Sequence, residues 1–232
     1  MVKAFKKRIP ELEELFEDDK ITKKFVERDA KLFSRNGSSY HRVSKDIMTN
    51  IKIKEGKVLD LACGYGGLIG TLQEYMVNSD LVGIDGSEWI IKLAKKTIKS
   101  KNINFKVARA EKIPFKDESF DLVLCRDSVH HFKDPIKIFK EMYRVTKKSG
   151  IIYILDLRRD VPEKLIYDGL LEFFWTNPTF TTEYLYSIRA SYTISEIRKI
   201  LNKIKIKNYS LHNCRGISDS YFRTRWKLII KK

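Results

Sequence analysis

Residues 58–62 read Val-Leu-Asp-Leu-Ala, a short apolar run with no polar alternation, and a turn rich in glycine, Cys63-Gly64-Tyr65-Gly66-Gly67, follows at once. A run of that kind is a strand buried on both faces, which an open sheet achieves only with helices packed against each side. The pattern then repeats. Asp80–Asp85, Asn104–Ala108, Phe120–Cys125 and Ile151–Leu157 read as strands. Helical stretches stand between them: Gly64 to Tyr75, then Ser87 as a cap to about Ser100, then Asp134-Pro135 to Thr146, with proline in the first turn. Ser149-Gly150 reads as the turn into the fifth strand. Strands alternating with helices of about ten residues imply βαβ units and a parallel sheet wound by right-handed crossovers. Two late strands, near Ile204–Leu211 and Tyr221–Ile230, flank the turn Cys214-Arg215-Gly216 and suggest an antiparallel edge hairpin. The expected fold is a doubly wound α/β domain whose seven-stranded sheet is mostly parallel, with an antiparallel C-terminal edge strand.

The flanks are less regular. Leu12, Leu15, Phe16, Phe25, Val26, Leu32 and Phe33 have helical spacing. They predict two or three helices, a break at Asn36-Gly37-Ser38-Ser39, and a further helix from Tyr40 to Ile51. Arg158 to Ser191 is an irregular stretch holding Phe173, Phe174, Trp175, Phe180, Tyr184 and Tyr186, with Tyr192 just beyond. Thr193-Ile194-Ser195-Glu196 opens a short amphipathic helix ending near Asn202. One domain is expected: a helical cap over 1–54, a ligand-binding core over 55–157, a lid insertion over 158–192, and a C-terminal helix and hairpin over 193–232.

Charge and cysteine content narrow the function classes. With 46 Lys+Arg against 30 Asp+Glu the formal charge is +16, which raises a nucleic-acid partner, although lysines scattered over helices are ordinarily a solvated face. Cys63, Cys125 and Cys214 are far apart and form neither a disulfide framework nor a zinc-like set, so no metal site is expected. No apolar run reaches the roughly 18–20 residues that span a bilayer, and the N-terminal twenty residues lack the apolar core of a secretory signal. A cytoplasmic protein without membrane partner is expected; the oligomeric state is open.

In an open α/β sheet the ligand lies outside the carboxyl ends of the strands. There the 60–67 loop lets backbone approach a ligand closely, and Asp85, ending the second strand, can accept both hydroxyls of a ribose. The dinucleotide fingerprint fails: from Gly64 the third position is Gly66 but the sixth is Ile69. Asp60 would also set negative charge beside a pyrophosphate, whereas it suits a ligand with an ammonium or sulfonium end.

Taken together these segments resemble the class I S-adenosylmethionine-dependent methyltransferases. Val58 to Gly66 is similar to their first motif. Val82-Gly83-Ile84-Asp85-Gly86-Ser87 resembles the ribose-binding turn, and Ala108-Arg109-Ala110-Glu111 through Phe115, with Ser119 to Val123 after it, the adenine-binding turn and fourth strand. His130-His131-Phe132-Lys133-Asp134-Pro135 and Glu141 to Gly150 complete the pattern of the type 11 subgroup. The resemblance spans about residues 55–157. It implies S-adenosylmethionine as cofactor, held by Asp60, Ala62, Cys63, Gly64, Gly66, Asp85, Gly86, Ser87, Ala110 and Glu111. Two departures stand out. Ala62 replaces the first glycine, which costs little at negative φ. Arg109 replaces an aspartate that accepts from the adenine amino group, and a guanidinium accepts nothing.

Further residues carry both functional and ordinary readings. Arg126 either holds the cofactor carboxylate or forms an exposed ion pair. Tyr40 is a cofactor contact or a plain helix residue, and His41 a base or neither. His131 is the weak catalytic candidate of the His130-His131 pair, since adjacent helical residues diverge by about 100° and cannot share a metal. Methyl transfer from S-adenosylmethionine to a small-molecule acceptor by in-line displacement is the expected function. An RNA-directed methyltransferase using the basic tail (Arg215, Arg223, Arg225, Lys227, Lys231, Lys232) and a non-catalytic cofactor-binding protein are the alternatives.

Overall fold

The computed structural model describes residues 5, 7–10, 23, 26, 27, 38–174, 178–214 and 220–232. The expected N-terminal helical positions Leu12, Leu15, Phe16, Phe25, Leu32 and Phe33 lie outside them, as do the side chains of Phe173, Phe174, Trp175 and Phe180 and the turn at Arg215-Gly216. Elements run α1 (Ser39–Asn50), β1 (Lys57–Leu61), α2 (Gly67–Leu72), β2 (Asp80–Asp85), α3 (Glu88–Thr97), β3 (Ile103–Val107), β4 (Phe120–Arg126), α4 (Pro135–Val145), β5 (Thr146–Leu157), α5 (Glu163–Phe174), α6 (Pro178–Ala190), α7 (Ile194–Lys203), β6 (Tyr209–Asn213), α8 (Ser220–Arg223) and β7 (Arg225–Lys231). A 3-10 turn, Val129–His131, follows β4.

The seven strands form one sheet in the order β3-β2-β1-β4-β5-β7-β6. β1 pairs in parallel with β2 and β4, and β2 with β3. The strands that read as apolar runs are the central ones: Val58–Leu61, Leu81–Ile84 and Leu122–Cys125 are buried. β7 runs antiparallel to β5, with Arg158 N–H donating to the Thr224 carbonyl and Lys232 N–H to Gly150, both at 3.0 Å. The antiparallel strand therefore inserts between β5 and the edge strand β6. Pairing at its far end also recruits Thr146–Gly150 into β5, so Ser149-Gly150 lies within a strand and not in a turn.

The chain divides into two compact units, one of residues 13–126, 137–153 and 230–232, the other of 1–12, 127–136 and 154–229. In the first, Ser38 caps α1 and Ser87 caps α3 through side-chain acceptance of backbone N–H groups, the latter as the sequence predicts. α2 is shorter than its periodicity suggests. Gly66 has φ +86°, which no helical residue adopts, so the helix begins only at Gly67. Beyond Leu72 the chain tightens into three-residue turns, Glu74 N–H to Thr71 and Tyr75 N–H to Leu72.

In the second unit α5 and α6 lie within the less regular 158–191 stretch. Ile166 and Leu170, and Tyr184 and Ile188, lie four residues apart, so each pair shares one helix face. They pack with Leu157 and Val161 into a core that also takes in Phe5, Leu165 and Leu185. Tyr184 and Tyr192 are thus core residues, while Tyr186 is exposed. Thr193 and Glu196 form a complete capping box at α7.

Candidate functional site

β1 and β2 end side by side; β2 closes on Asp85, and Asp60 is the penultimate residue of β1. Asp85 organises the loop after β1. Its Oδ2 accepts from Gly64 N–H and its Oδ1 from Ser87 N–H, each at 3.0 Å. Cys63 N–H donates to the Ile84 carbonyl. These bonds bend the chain sharply after Leu61, and Ala62 is forced to φ +56°, in the left-handed region. The negative φ at which alanine would cost little is not adopted: Ala62 holds a glycine conformation, at a cost of roughly 1–2 kcal/mol.

Asp60 is fully buried, 2% exposed, on the inner side of this loop. Burial pushes its carboxyl up to about 7; the Arg126 guanidinium opposes that, Asp85 adds to it, and the Ile69 N–H favours the charged form. Its Oδ2 has no hydrogen-bond partner among the described residues. The Cys63 thiol is also raised, by burial first and then by Asp60 and Asp85, and is not a nucleophile.

Tyr40 covers the loop from α1. A Cβ at Gly67 would lie 2.7 Å from the Tyr40 ring, so the ring packs directly on that backbone. Tyr65 O–H donates to Tyr40 Oη at 2.6 Å, and the rings meet edge to face. The Arg126 guanidinium lies over the Tyr40 ring, 4.1 Å from its centroid, and donates to Ser39 Oγ at 2.9 Å. Arg126 is thus half-buried against α1. His41 hydrogen-bonds Ser38 through Nδ1 and approaches Glu74 at 3.4 Å.

The loop after β3 carries Arg109, Ala110 and Glu111. Arg109 is largely exposed and faces Glu111 at 3.6 Å. The loop is held from α4 by a pair that sequence reasoning placed only in a motif. Arg144 forks onto Glu141, at 2.8 Å through both Nε and Nη2, and donates to the carbonyls of Ile113 and Phe115. Glu141 in turn accepts from Ile113 N–H. The guanidinium holds the Glu141 carboxyl below its usual range. The signal was the i, i+3 spacing of an acid and an arginine, but their target, a loop about thirty residues away, is visible only in three dimensions.

In the other unit, His130 is buried and His131 is half-buried, their ring centroids 4.1 Å apart. His130 Nδ1 lies 2.5 Å from Asp156 Oδ1, a partner no motif indicated.

Would the cradle fit S-adenosylmethionine? Cβ atoms added at Gly64 and Gly86 would meet nothing within 4 Å, so open space borders the loop on both sides of Asp85. Buried Asp60 offers an unpaired oxygen suited to an ammonium, and Asp85 offers lone pairs suited to hydroxyls. Nothing in that donor set suits a pyrophosphate. The residues fit.

Sheet order and acidic strand ends together define a class I methyltransferase fold. Solved structures share it. A methyltransferase from Methanococcus maripaludis, described as S-adenosyl-L-methionine-dependent, superposes with TM-score 0.73 at 22% identity over 97% of both chains. The plantazolicin methyltransferase BpumL, in complex with SAH and a desmethyl substrate analogue, gives 0.66 at 20% identity over 92% of this chain and 91% of that one. In sequence, a family model described as a methyltransferase domain matches residues 59–154. The YcgJ methyltransferase of Bacillus subtilis, of uncharacterised activity, is 30% identical over 136 residues, 53% of each protein. The demethylmenaquinone methyltransferase of Lactobacillus johnsonii is 28% identical over 69% of this chain and 73% of its own. The chain thus spans about half the length of the first of these curated relatives. Among the described residues no helix is long and apolar enough to cross a membrane.

Proposed function

We propose that this protein transfers a methyl group from S-adenosylmethionine to a small-molecule acceptor. The observation that carries the reading is the pairing of buried Asp60, with one oxygen unpartnered, and Asp85, which shapes the loop beside open backbone at Gly64 and Gly86. The bound cofactor supplies an electrophilic methyl on a sulfonium, so the chain's task is positioning. Asp85 accepts from the ribose hydroxyls while keeping Gly64 and Ser87 in place. Asp60 receives the ammonium, and Arg126 and Tyr40 enclose the amino-acid end. Ala62, Cys63, Gly64, Gly66 and Gly86 present backbone. Ala110 and Glu111 border the adenine, and Arg109 points away from it. The relatives favour a small acceptor: one is named for demethylmenaquinone, another for phthiotriol dimycocerosates, and a structural neighbour for plantazolicin.

Calorimetry tests the reading. S-adenosylmethionine and its demethylated product should bind the wild type, and NADH should not. NADH binding with no S-adenosylmethionine binding would overturn it.

A further inference from the structure

The turn after β3 hangs between two fixed points, and every residue that fixes it belongs to the first compact unit. At its start Ala108 N–H donates to the Asp85 carbonyl at 2.9 Å, so the turn begins beside the residue that ends β2. A Cβ at Gly86, the next residue along, would meet nothing within 4 Å, so that side of Asp85 is open. At the far end of the turn Ile113 is buried, and both its backbone polar groups are taken by one pair of side chains on α4. Glu141 Oε2 accepts from Ile113 N–H, and Arg144 Nη2 donates to the Ile113 carbonyl, each at 2.9 Å. Arg144 Nη1 reaches on to the Phe115 carbonyl, and the Arg144 carbonyl accepts from Glu118 N–H. Neither Ile113 group can then turn back to bond within residues 109–112. There Lys112 N–H donates to the Arg109 carbonyl, while the N–H groups of Arg109, Ala110 and Glu111 have no acceptor among the described residues. Such donors are satisfied by water or by a ligand. Glu111 adds an acceptor, a carboxylate facing Arg109 at 3.6 Å.

We infer that the Glu141–Arg144 pair is a positioning device for base selectivity: by holding Ile113 it keeps the 109–111 donors and the Glu111 carboxylate in the order that suits adenine and refuses its 6-oxo counterpart, hypoxanthine. The inference rests on the methyltransferase reading above, which puts the ribose on Asp85 and the base against this turn. Adenine offers an acceptor at N1 and a donor at its N6 amino group. A backbone N–H and a carboxylate match that pair. Hypoxanthine reverses both, with a donor at N1 and an acceptor at O6, so donor would face donor and acceptor would face acceptor. A site built on hydrogen bonds rejects such an analogue, because its own polar groups are left unpaired. Arg109 cannot supply the acceptor, since a guanidinium only donates. Selectivity falls to the turn, and a backbone discriminates only as well as it is held. Arg144 holds it with a planar fork that spans Glu141 and two carbonyls at once, which a lysine ammonium cannot do.

Two ligands that differ at that edge, S-adenosylhomocysteine and S-inosylhomocysteine, test the inference by calorimetry. Wild type should bind the adenosyl compound at least tenfold more tightly. In Arg144→Lys and Arg144→Ala the ratio should fall below threefold, through loss of adenosyl binding, while Kd for the inosyl compound stays within threefold of wild type. A pair that merely stabilises the fold would weaken both ligands alike; an unchanged ratio therefore overturns the inference. Equal binding of the two ligands by wild type overturns it too. A second measurement needs no variant. Amide exchange followed by NMR should show Ile113 protected without ligand and Arg109, Ala110 and Glu111 unprotected. At least one of those three should slow by at least tenfold when S-adenosylhomocysteine is added. An unprotected Ile113, or three amides that the ligand leaves unchanged, overturns the inference even where both variants fail to fold. A wild type that binds neither ligand strikes the methyltransferase reading itself, and this inference with it.

Discussion

Replacing Asp60 by Asn should make the unliganded protein more stable, and increasingly so as pH rises. Burial pushes the native carboxyl up to about 7, from an ordinary aspartate value of about 3.9, because it disfavours the charge. About three pKa units correspond to about 4 kcal/mol. The sign follows from proton counting. Between about pH 4 and 7 the native state holds a proton that the unfolded chain has released, so stability is lost across that window as pH rises and levels off above 7. From pH 5.5 to 8.5 only the final 1.5 units act, or about 2 kcal/mol. Asn is isosteric and does not titrate. The stability difference between Asp60→Asn and wild type should therefore widen by about 2 kcal/mol over that range, or about 4–8 °C in Tm for a chain of this size. Thermal unfolding followed by circular dichroism, without ligand, at both pH values measures it. Parallel pH profiles for the two proteins would refute the reasoning. A cationic ligand demands the opposite charge state. Wild-type Kd for S-adenosylmethionine should be about twentyfold weaker at pH 5.5 than at 7.5, and that of Asp60→Asn weak and flat.

Three other outcomes are expected. Ala62→Gly should stabilise the protein by about 1 kcal/mol, since φ +56° suits glycine and strains alanine; a lower Tm would contradict the loop geometry. Asp85→Ala should cost about 1–3 kcal/mol of stability, because Gly64 and Ser87 lose their acceptor, and should weaken cofactor binding by at least tenfold in calorimetry. Arg109→Asp should leave cofactor affinity equal or tighter, because the guanidinium lies largely in solvent; a large loss would give Arg109 a role of its own.

Periodicity and turn chemistry are local, and what they control was legible in the chain. The doubly buried strands at 58–61, 81–84 and 122–125, the helix starts at Ser87 and Thr193, and the parallel sheet that alternation implies all follow from residues a few positions apart. Asp60 and Asp85 could be singled out because each lies at or next to the end of a strand whose register with its neighbour is set by burial. The structure alone decided matters that depend on residues distant in sequence. Ala62 looked harmless until Asp85 was seen to pull the Gly64 N–H toward β2 and swing the backbone to positive φ. The 158–191 stretch lacked a clear period because its helices bury faces against Leu157, Val161 and Phe5, so tertiary packing and not amphipathic contrast specifies them. Asp156 reads in the chain as one more polar residue near a strand end. Only the pairing of β5 beside β4 brings it under His130, and an acid 26 residues from a histidine has no sequence period to announce it.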